Sequence, residues 1–220
     1  MNVLYEDENL VICQKEIGFV SELSQKEASL ANEVLQKYGY AGIIHRLDMN
    51  VGGAIVYAKT KSSAGYLSGL VAARQMQKQY LAVVEGIPAE PSGQFRDYLF
   101  KDSSKNKVYT VKRMRKGVKE ASLNYEVLQS VETDKKTLSL VKITLDTGRS
   151  HQIRVQFSSR KMPLAGDGKY GSRDNRCTIS LWCHSLSFLS QNTGELICVR
   201  SFPEKDSYPW NLFDYRKETI

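Results

Sequence analysis

The sequence contains no apolar run approaching the roughly 20 residues of a membrane span. Its four cysteines, Cys13, Cys177, Cys183 and Cys198, make no C-x-x-C pair and no zinc-type spacing. Three histidines, His45, His151 and His184, are too scattered to argue for a metal site, so no metal is expected. There is no G-x-x-x-x-G-K-[ST], no H-E-x-x-H and no G-x-S-x-G. Nucleotide hydrolysis and serine hydrolysis therefore lose their usual sequence support. The first residues carry Glu6, Asp7 and Glu8 ahead of a short apolar run, the reverse of a signal peptide, and a cytoplasmic location is expected. No low-complexity linker and no internal repeat interrupts the chain, so residues 1–220 are expected to form a single domain.

What is present is an ordinary globular composition: 220 residues, 41% hydrophobic and 25% charged. Such a chain buries about 70% of the surface its unfolded form exposes and needs no disulfide or metal to hold a core. The net charge of +7 is concentrated rather than spread. Lys101, Lys105, Lys107, Lys112, Arg113, Arg115, Lys116 and Lys119 face a single acid, Asp102, so that segment alone nets +7. Residues 149–176 net +5, and the rest of the chain is slightly acidic at −5. Two basic stretches suit a polyanion, nucleic acid above all, although a solvated strand face would read the same way.

Short β-like runs at Val3–Tyr5 and Leu10–Cys13 flank an acidic turn. Ser24-x-x-Glu27 reads as a capping box for a helix carrying Ala28, Leu30, Ala31, Val34, Leu35 and Tyr38 and closed by Gly39. Gly53–Ala58 reads as a strand buried on both faces, and Ala64, Leu67, Leu70 and Val71 as a second helix. Strands follow at Tyr80–Val84, Val108–Met114, Ala121–Val131, Thr137–Leu145, Ile179–Phe188 and Leu196–Phe202. Ser150 is expected to cap a short helix bearing Ile153 and Phe157. Strands come in runs rather than in βαβ alternation, which predicts an α+β fold: a mostly antiparallel mixed β-sheet flanked by helices.

Two polar clusters stand at the mouths of apolar elements: Ile43-Ile44-His45-Arg46-Leu47-Asp48 before a strand, and Asp146-Thr147-Gly148-Arg149-Ser150-His151-Gln152-Ile153-Arg154-Val155. Loops held by rigid elements are where sites tend to sit, although either cluster alone also reads as a surface salt bridge and a turn. Together, and in this order, they resemble one family, the RluA-type pseudouridine synthases. His45-Arg46-Leu47-Asp48 with Gly53 and Ala58-Lys59 is similar to that family's H-R-L-D-x-x-T-S-G-x-x-x-x-A-K block. Gln79-Tyr80-Leu81-Ala82-Val83-Val84-Glu85-Gly86 resembles its K-x-Y-x-A-x-V-x-G strand, and Thr147 to Val155 its T-G-R-T-H-Q-I-R-V block. Pro163 to Gly171 resembles the following P-I-x-G-D-x-x-Y-G, and Val3 to Ile12 the family's first strand. The departures are Val51-Gly52 where Thr-Ser is usual, Gln79, and Trp182-Cys183-His184 where a His-Ala-Trp-like order is more usual.

The resemblance implies a pseudouridine synthase-like fold and the isomerisation of uridine to pseudouridine in ribosomal or transfer RNA, without a cofactor. It implies a catalytic domain with no S4-type RNA-binding domain ahead of Val3, acting as a monomer with RNA as its partner and no membrane. By the same resemblance Asp48 is the nucleophile or base, Arg154 the cation that keeps it ionised, and Tyr80 the ring against the uracil. An arginine suits that role because its fork pairs with a carboxylate bidentately and stays charged. Ile153 would line the base pocket, and His45, Arg46, Arg149 and His151 would contact RNA. The target base must leave its stack, at a cost of a few kcal/mol.

Overall fold

The structure, a computed structural model, describes residues 1–215. In chain order the elements are Asn2–Glu6 (β1), Leu10–Lys15 (β2), Leu30–Tyr38 (α1), Gly42–Ile43 (β3), Gly52–Ala58 (β4), Lys61–Ala72 (α2), Gln77–Glu85 (β5), Ser92–Asp102 (β6), Lys107–Val111 (β7), Val118–Glu132 (β8), Thr137–Leu145 (β9), Gln152–Ser158 (α3), Leu181–Leu189 (β10) and Leu196–Arg200 (β11). Strands dominate: β1–β2, β2–β4, β3–β4, β6–β7, β6–β8, β8–β9 and β10–β11 pair antiparallel, and β4 with β10 is parallel. The α+β expectation holds.

Two compact units emerge. The first comprises Met1–Gln79 and Trp182–Pro203. At its centre lies β4, buried at every residue. One edge pairs with β2 from Leu10↔Ala58 to Lys15↔Gly53. The other pairs with β3 at Ala58 and Tyr57 and with β10 at Gly52 and Gly53. Burial of every residue, and so of both faces, explains why its sequence runs Gly-Gly-Ala-Ile-Val-Tyr-Ala without alternation. Beside it, α2 starts at a capping box in which Thr60 and Ser63 exchange side-chain and backbone hydrogen bonds.

The second unit comprises Tyr80–Leu181 and the chain from Glu204. Its strands run in the order β5-β9-β8-β6-β7. Helix α3 is a core helix, buried from Gln152 to Phe157. Phe157 meets Phe95 and Tyr125 edge-on at centroid distances of 5.0 and 6.0 Å.

Three local expectations are corrected. Helix α1 begins at Leu30 under Ser29, not after Ser24. Ser24 Oγ does accept from the backbone N–H of Lys26 and Glu27, but only as a turn. Ala28 and Leu30 are held in extended pairing with Val20, which delays the helix. Strand β6 was not foreseen. Phe95 and Leu99 sit four apart, and the buried-face position between them is Asp97, so the apolar alternation is broken. Asp97 is satisfied there by Gln156 Nε2 at 2.7 Å and Arg160 Nη1 at 2.9 Å. Finally, α3 is capped not by Ser150 but by His151, whose backbone is left-handed (φ 49°) and whose side chain makes no capping bond.

Candidate active site

Asp48 stands in the first unit, half-buried, on the turn that leads into β4. Its carbonyl accepts the N–H of Val51 at 2.9 Å, closing the turn. The next carbonyl, Met49, accepts from Gly18 N–H at 2.9 Å and from Lys15 Nζ at 3.2 Å. One residue earlier, Leu47 is tied through both its N–H and its carbonyl to the Ser21 hydroxyl. The carboxylate is thus carried by a backbone fixed on both sides, as a reacting group requires.

Lys15 is the unexpected member of this loop. It is wholly buried at the end of β2. Its ammonium donates to the carbonyls of Glu16 (2.9 Å), Phe19 (2.6 Å) and Met49 (3.2 Å). Three acceptors match its three N–H groups. Burial pushes its pKa down to about 8, and the negative charge of Asp48 acts in the opposite direction. In the sequence, a lysine closing Leu-Val-Ile-Cys-Gln gave no sign of this.

His45 and Arg46 diverge. The His45 ring accepts the Val56 N–H at Nε2 (3.3 Å), and its buried Nδ1 finds no hydrogen-bond partner among the described residues. Burial, and then the charge of Lys78, pull its pKa down to about 3, so the ring is neutral at physiological pH. Arg46 is exposed and pairs with Glu22 at 2.9 Å.

In the second unit Tyr80 is buried on β5, and Ile153 is buried on α3. Arg154 is 5% exposed and holds Asp167 through two parallel bonds, Nε to Oδ2 at 2.7 Å and Nη2 to Oδ1 at 2.9 Å. This is the fork geometry that makes arginine–carboxylate pairs strong and directional. The guanidinium also stands 5.0 Å from the ring centre of Tyr170. The Tyr170 hydroxyl accepts the Val108 N–H at 2.9 Å and lies 2.8 Å from His151 Nδ1. Arg154 and His151 are therefore brought together around Tyr170.

Asp167 is placed by its own loop. Leu164 bridges Val84, and Ala165 exchanges backbone bonds with Val83 and Ser180. At Gly166 (φ 79°) a Cβ would collide with the carbonyls of Thr178 and Cys177, so only glycine fits. Gln152 locks the turn before α3: its Oε1 accepts from Thr147 Oγ1 (2.8 Å) and Arg149 N (3.0 Å), and its Nε2 donates to Ser122 O (3.0 Å). Arg149 then turns outward, with Nε on the Glu120 carbonyl at 3.0 Å. Asp167, Tyr170 and Gln152 lie inside the recognised blocks, yet sequence reasoning gave them no role. Among the described residues no cluster of metal-ligating side chains occurs.

The architecture is that of a pseudouridine synthase-like α+β protein. Human RNA Pseudouridylate Synthase Domain Containing 1 has a similar fold, with a TM-score of 0.78 at 22% identity over 93% of this chain and 83% of that one. Human RNA Pseudouridylate Synthase Domain Containing 4 gives a TM-score of 0.74 at 21% identity over 93% of this chain and 89% of that one. Residues 9–159 match the RNA pseudouridylate synthase family, and the chain belongs to it. An uncharacterized RNA pseudouridine synthase of Bacillus subtilis is 31% identical over 179 residues, which are 78% of this chain and 58% of that protein. Ribosomal large subunit pseudouridine synthase D of Xanthomonas campestris is 30% identical over 179 residues, 78% of this chain and 52% of that protein. The chain thus spans between half and three-fifths of the length of these relatives. The family expected from the four sequence blocks is borne out.

Proposed function

We propose that this chain isomerises uridine to pseudouridine in RNA, with ribosomal RNA the first substrate to try and transfer RNA the second. The observation that carries the reading is the family match over 9–159, which encloses Asp48, Tyr80 and Arg154 together. The reaction breaks the N1–C1′ bond, turns the uracil and forms a C5–C1′ bond, so it is redox-neutral and releases nothing. In this reading Asp48 is the nucleophile or base at the sugar or ring, a role open to a carboxylate held near a glycosidic carbon. Arg154 supplies the positive charge that favours the ionised carboxylate. Tyr80 packs against the uracil and Ile153 walls the pocket. Arg46 and Arg149 grip phosphate, and His45 and His151 contact the RNA as neutral or hydrogen-bonding groups. No cofactor or metal is assigned a step, and the working form is taken to be a cytoplasmic monomer.

The test is incubation of the purified protein with ribosomal and transfer RNA, followed by mass-spectrometric mapping of pseudouridine. Asp48→Asn is nearly isosteric, so RNA affinity should persist while conversion stops. RNA retained without any conversion by the unaltered chain would instead mark a silent RNA-binding scaffold. Conversion by Asp48→Asn at an undiminished rate would remove the aspartate from the chemistry.

A further inference from the structure

The β6–β7 hairpin and the start of β8 carry a surface that the catalytic reading does not use. Phe100 and Tyr109 are directly opposed in the β6–β7 register, and Tyr98 is opposed to Val111 two residues along. All four side chains therefore stand on one face of the sheet. Tyr109 is 37% exposed, and neither Tyr98 nor Phe100 is fully buried. Cations surround these rings: Arg115 stands 5.3 Å from the centre of Phe100, and Lys107 5.8 Å from that of Tyr109. Next to them is a concavity of about 480 Å³ lined, among the described residues, by Val111, Lys112, Arg113 and Arg115.

The charges are not neutralised locally. Asp102, the one acid between Lys101 and Lys119, has Oδ1 committed to its own turn, accepting from Ser104 N, Ser104 Oγ and Lys105 N. Among the described residues Lys101, Lys107, Lys112, Arg113, Arg115, Lys116 and Lys119 form no ion pair with a carboxylate. A merely solvated hairpin accounts for the lysines. It does not account for half-exposed aromatic rings interleaved with arginine beside a hollow lined by Lys112, Arg113 and Arg115.

We propose that this face binds single-stranded RNA. Bases stack on Tyr109 and Phe100, and the backbone phosphates lie in the hollow of Lys112, Arg113 and Arg115. Aromatic rings with a flanking basic groove are the chemistry of unpaired nucleic acid, because every base offers a ring face once it is out of a helix. A duplex hides those faces and would use only the charges. The proposal rests on the reading of the chain as an RNA-acting enzyme, and it gives that enzyme a grip on an unpaired stretch of its substrate.

The experiment measures binding of the full chain to a short unstructured RNA and to an RNA duplex of the same length, over a series of salt concentrations. The unaltered protein, Tyr109→Leu, and Lys112→Gln with Arg113→Gln are compared, each checked for unchanged thermal melting. Tyr109→Leu should weaken single-strand binding roughly 5- to 100-fold, leave the salt slope alone and spare the duplex. The double glutamine variant should flatten the salt slope by roughly one unit per lost phosphate contact on both RNAs. Single-strand affinity unchanged by Tyr109→Leu, or equal losses on both RNAs, would overturn the stacking face. Pseudouridine formation by the unaltered protein is scored separately. If no uridine is converted but Tyr109→Leu still loses single strands selectively, the enzymatic reading fails while the binding face stands.

Discussion

The ring of Trp182 fills the space that a side chain at Gly52 would need. The two residues are opposed where β4 and β10 run parallel, and a Cβ built on Gly52 would stand 2.7 Å from Trp182 Cε3. Trp182 is buried, with Nε1 donating to Ser201 Oγ at 3.1 Å and that hydroxyl donating in turn to Gln14. The two departures from the family pattern, at Val51-Gly52 and at Trp182, therefore meet in one packing contact between neighbouring strands. Restoring a serine at 52 alone would overpack the site. Gly52→Ser should cost about 1–3 kcal/mol, and Trp182→Ala about 3–5 kcal/mol. Combined, they should cost at least about 1 kcal/mol less than their sum, because each relieves the other. Urea denaturation of the three variants measures this, and strictly additive losses would show that the two sites are not exchanging volume.

Most of the fold was legible where burial is simple. β4 reads as an unbroken apolar run because it is buried on both faces, and α2 shows in the spacing of Ala64, Leu67, Leu70 and Val71. The sequence was silent where a polar group is satisfied by a distant partner. Asp97 hides the alternation of β6 until Gln156 and Arg160 are seen to meet it. Lys15 looks like the polar end of a strand until Phe19 and Met49 are seen to fold over it. For the site, the block matches singled out Asp48, Tyr80 and Arg154, but not what holds them. The Asp167 fork and the Gln152 clasp depend on loop geometry that spacing alone does not encode.

Asp167 should prove as sensitive as a residue in the chemistry. Both its oxygens are engaged by Arg154, and both residues are nearly inaccessible to solvent. Removing one partner of a buried pair strands the other charge, at about 3–5 kcal/mol. Asp167→Ala should lower stability by that amount in a urea titration. Asp167→Asn keeps an acceptor and should lose less stability, yet it releases the fork and should lower the rate of conversion more than the affinity for RNA. A variant with full activity and native stability would show that Arg154 needs no such anchor.

Lys15 gives the protein an alkaline signature. Its pKa is about 8 in the folded chain against an unfolded value of 10.5. Below pH 8 both states hold the proton and the burial penalty is fully present. As pH rises from 8 towards 10.5 the folded chain has released the proton while the unfolded chain still binds it, so this group makes stability rise. Lys15→Met cannot titrate and leaves three carbonyls without their donor. It should be less stable at neutral pH, and its stability should lack the alkaline gain. Asp48→Asn removes the charge that holds the lysine pKa up, so Lys15 should titrate below about 8. Nitrogen-15 NMR of the lysine ammonium follows this directly, and an unmoved Lys15 resonance in Asp48→Asn would deny the coupling.

His45 supplies the opposite limb, in acid. Its folded pKa is about 3, set first by burial and then by the charge of Lys78, against an unfolded value of 6.5. Above pH 6.5 the ring is neutral in both states and contributes no pH dependence. Below 6.5 the unfolded chain takes a proton that the folded ring refuses, so stability falls, approaching about 1.4 kcal/mol per pH unit. The loss continues until the folded ring itself titrates near pH 3. Between pH 6.5 and 5 most carboxylates remain ionised, which isolates the histidine. His45→Phe forfeits the Val56 N–H bond and should be less stable at pH 7, but its stability should barely change down to pH 5. The gap between it and the unaltered protein should therefore shrink by roughly 1–2 kcal/mol over that window. Lys78→Met should soften the acid limb, because removing the neighbouring charge lets the His45 pKa rise. Denaturant titrations at pH 7, 6 and 5 decide the matter. Parallel stability profiles for all three proteins would mean that the imidazole is reached by water and that its ring is free to carry charge toward RNA.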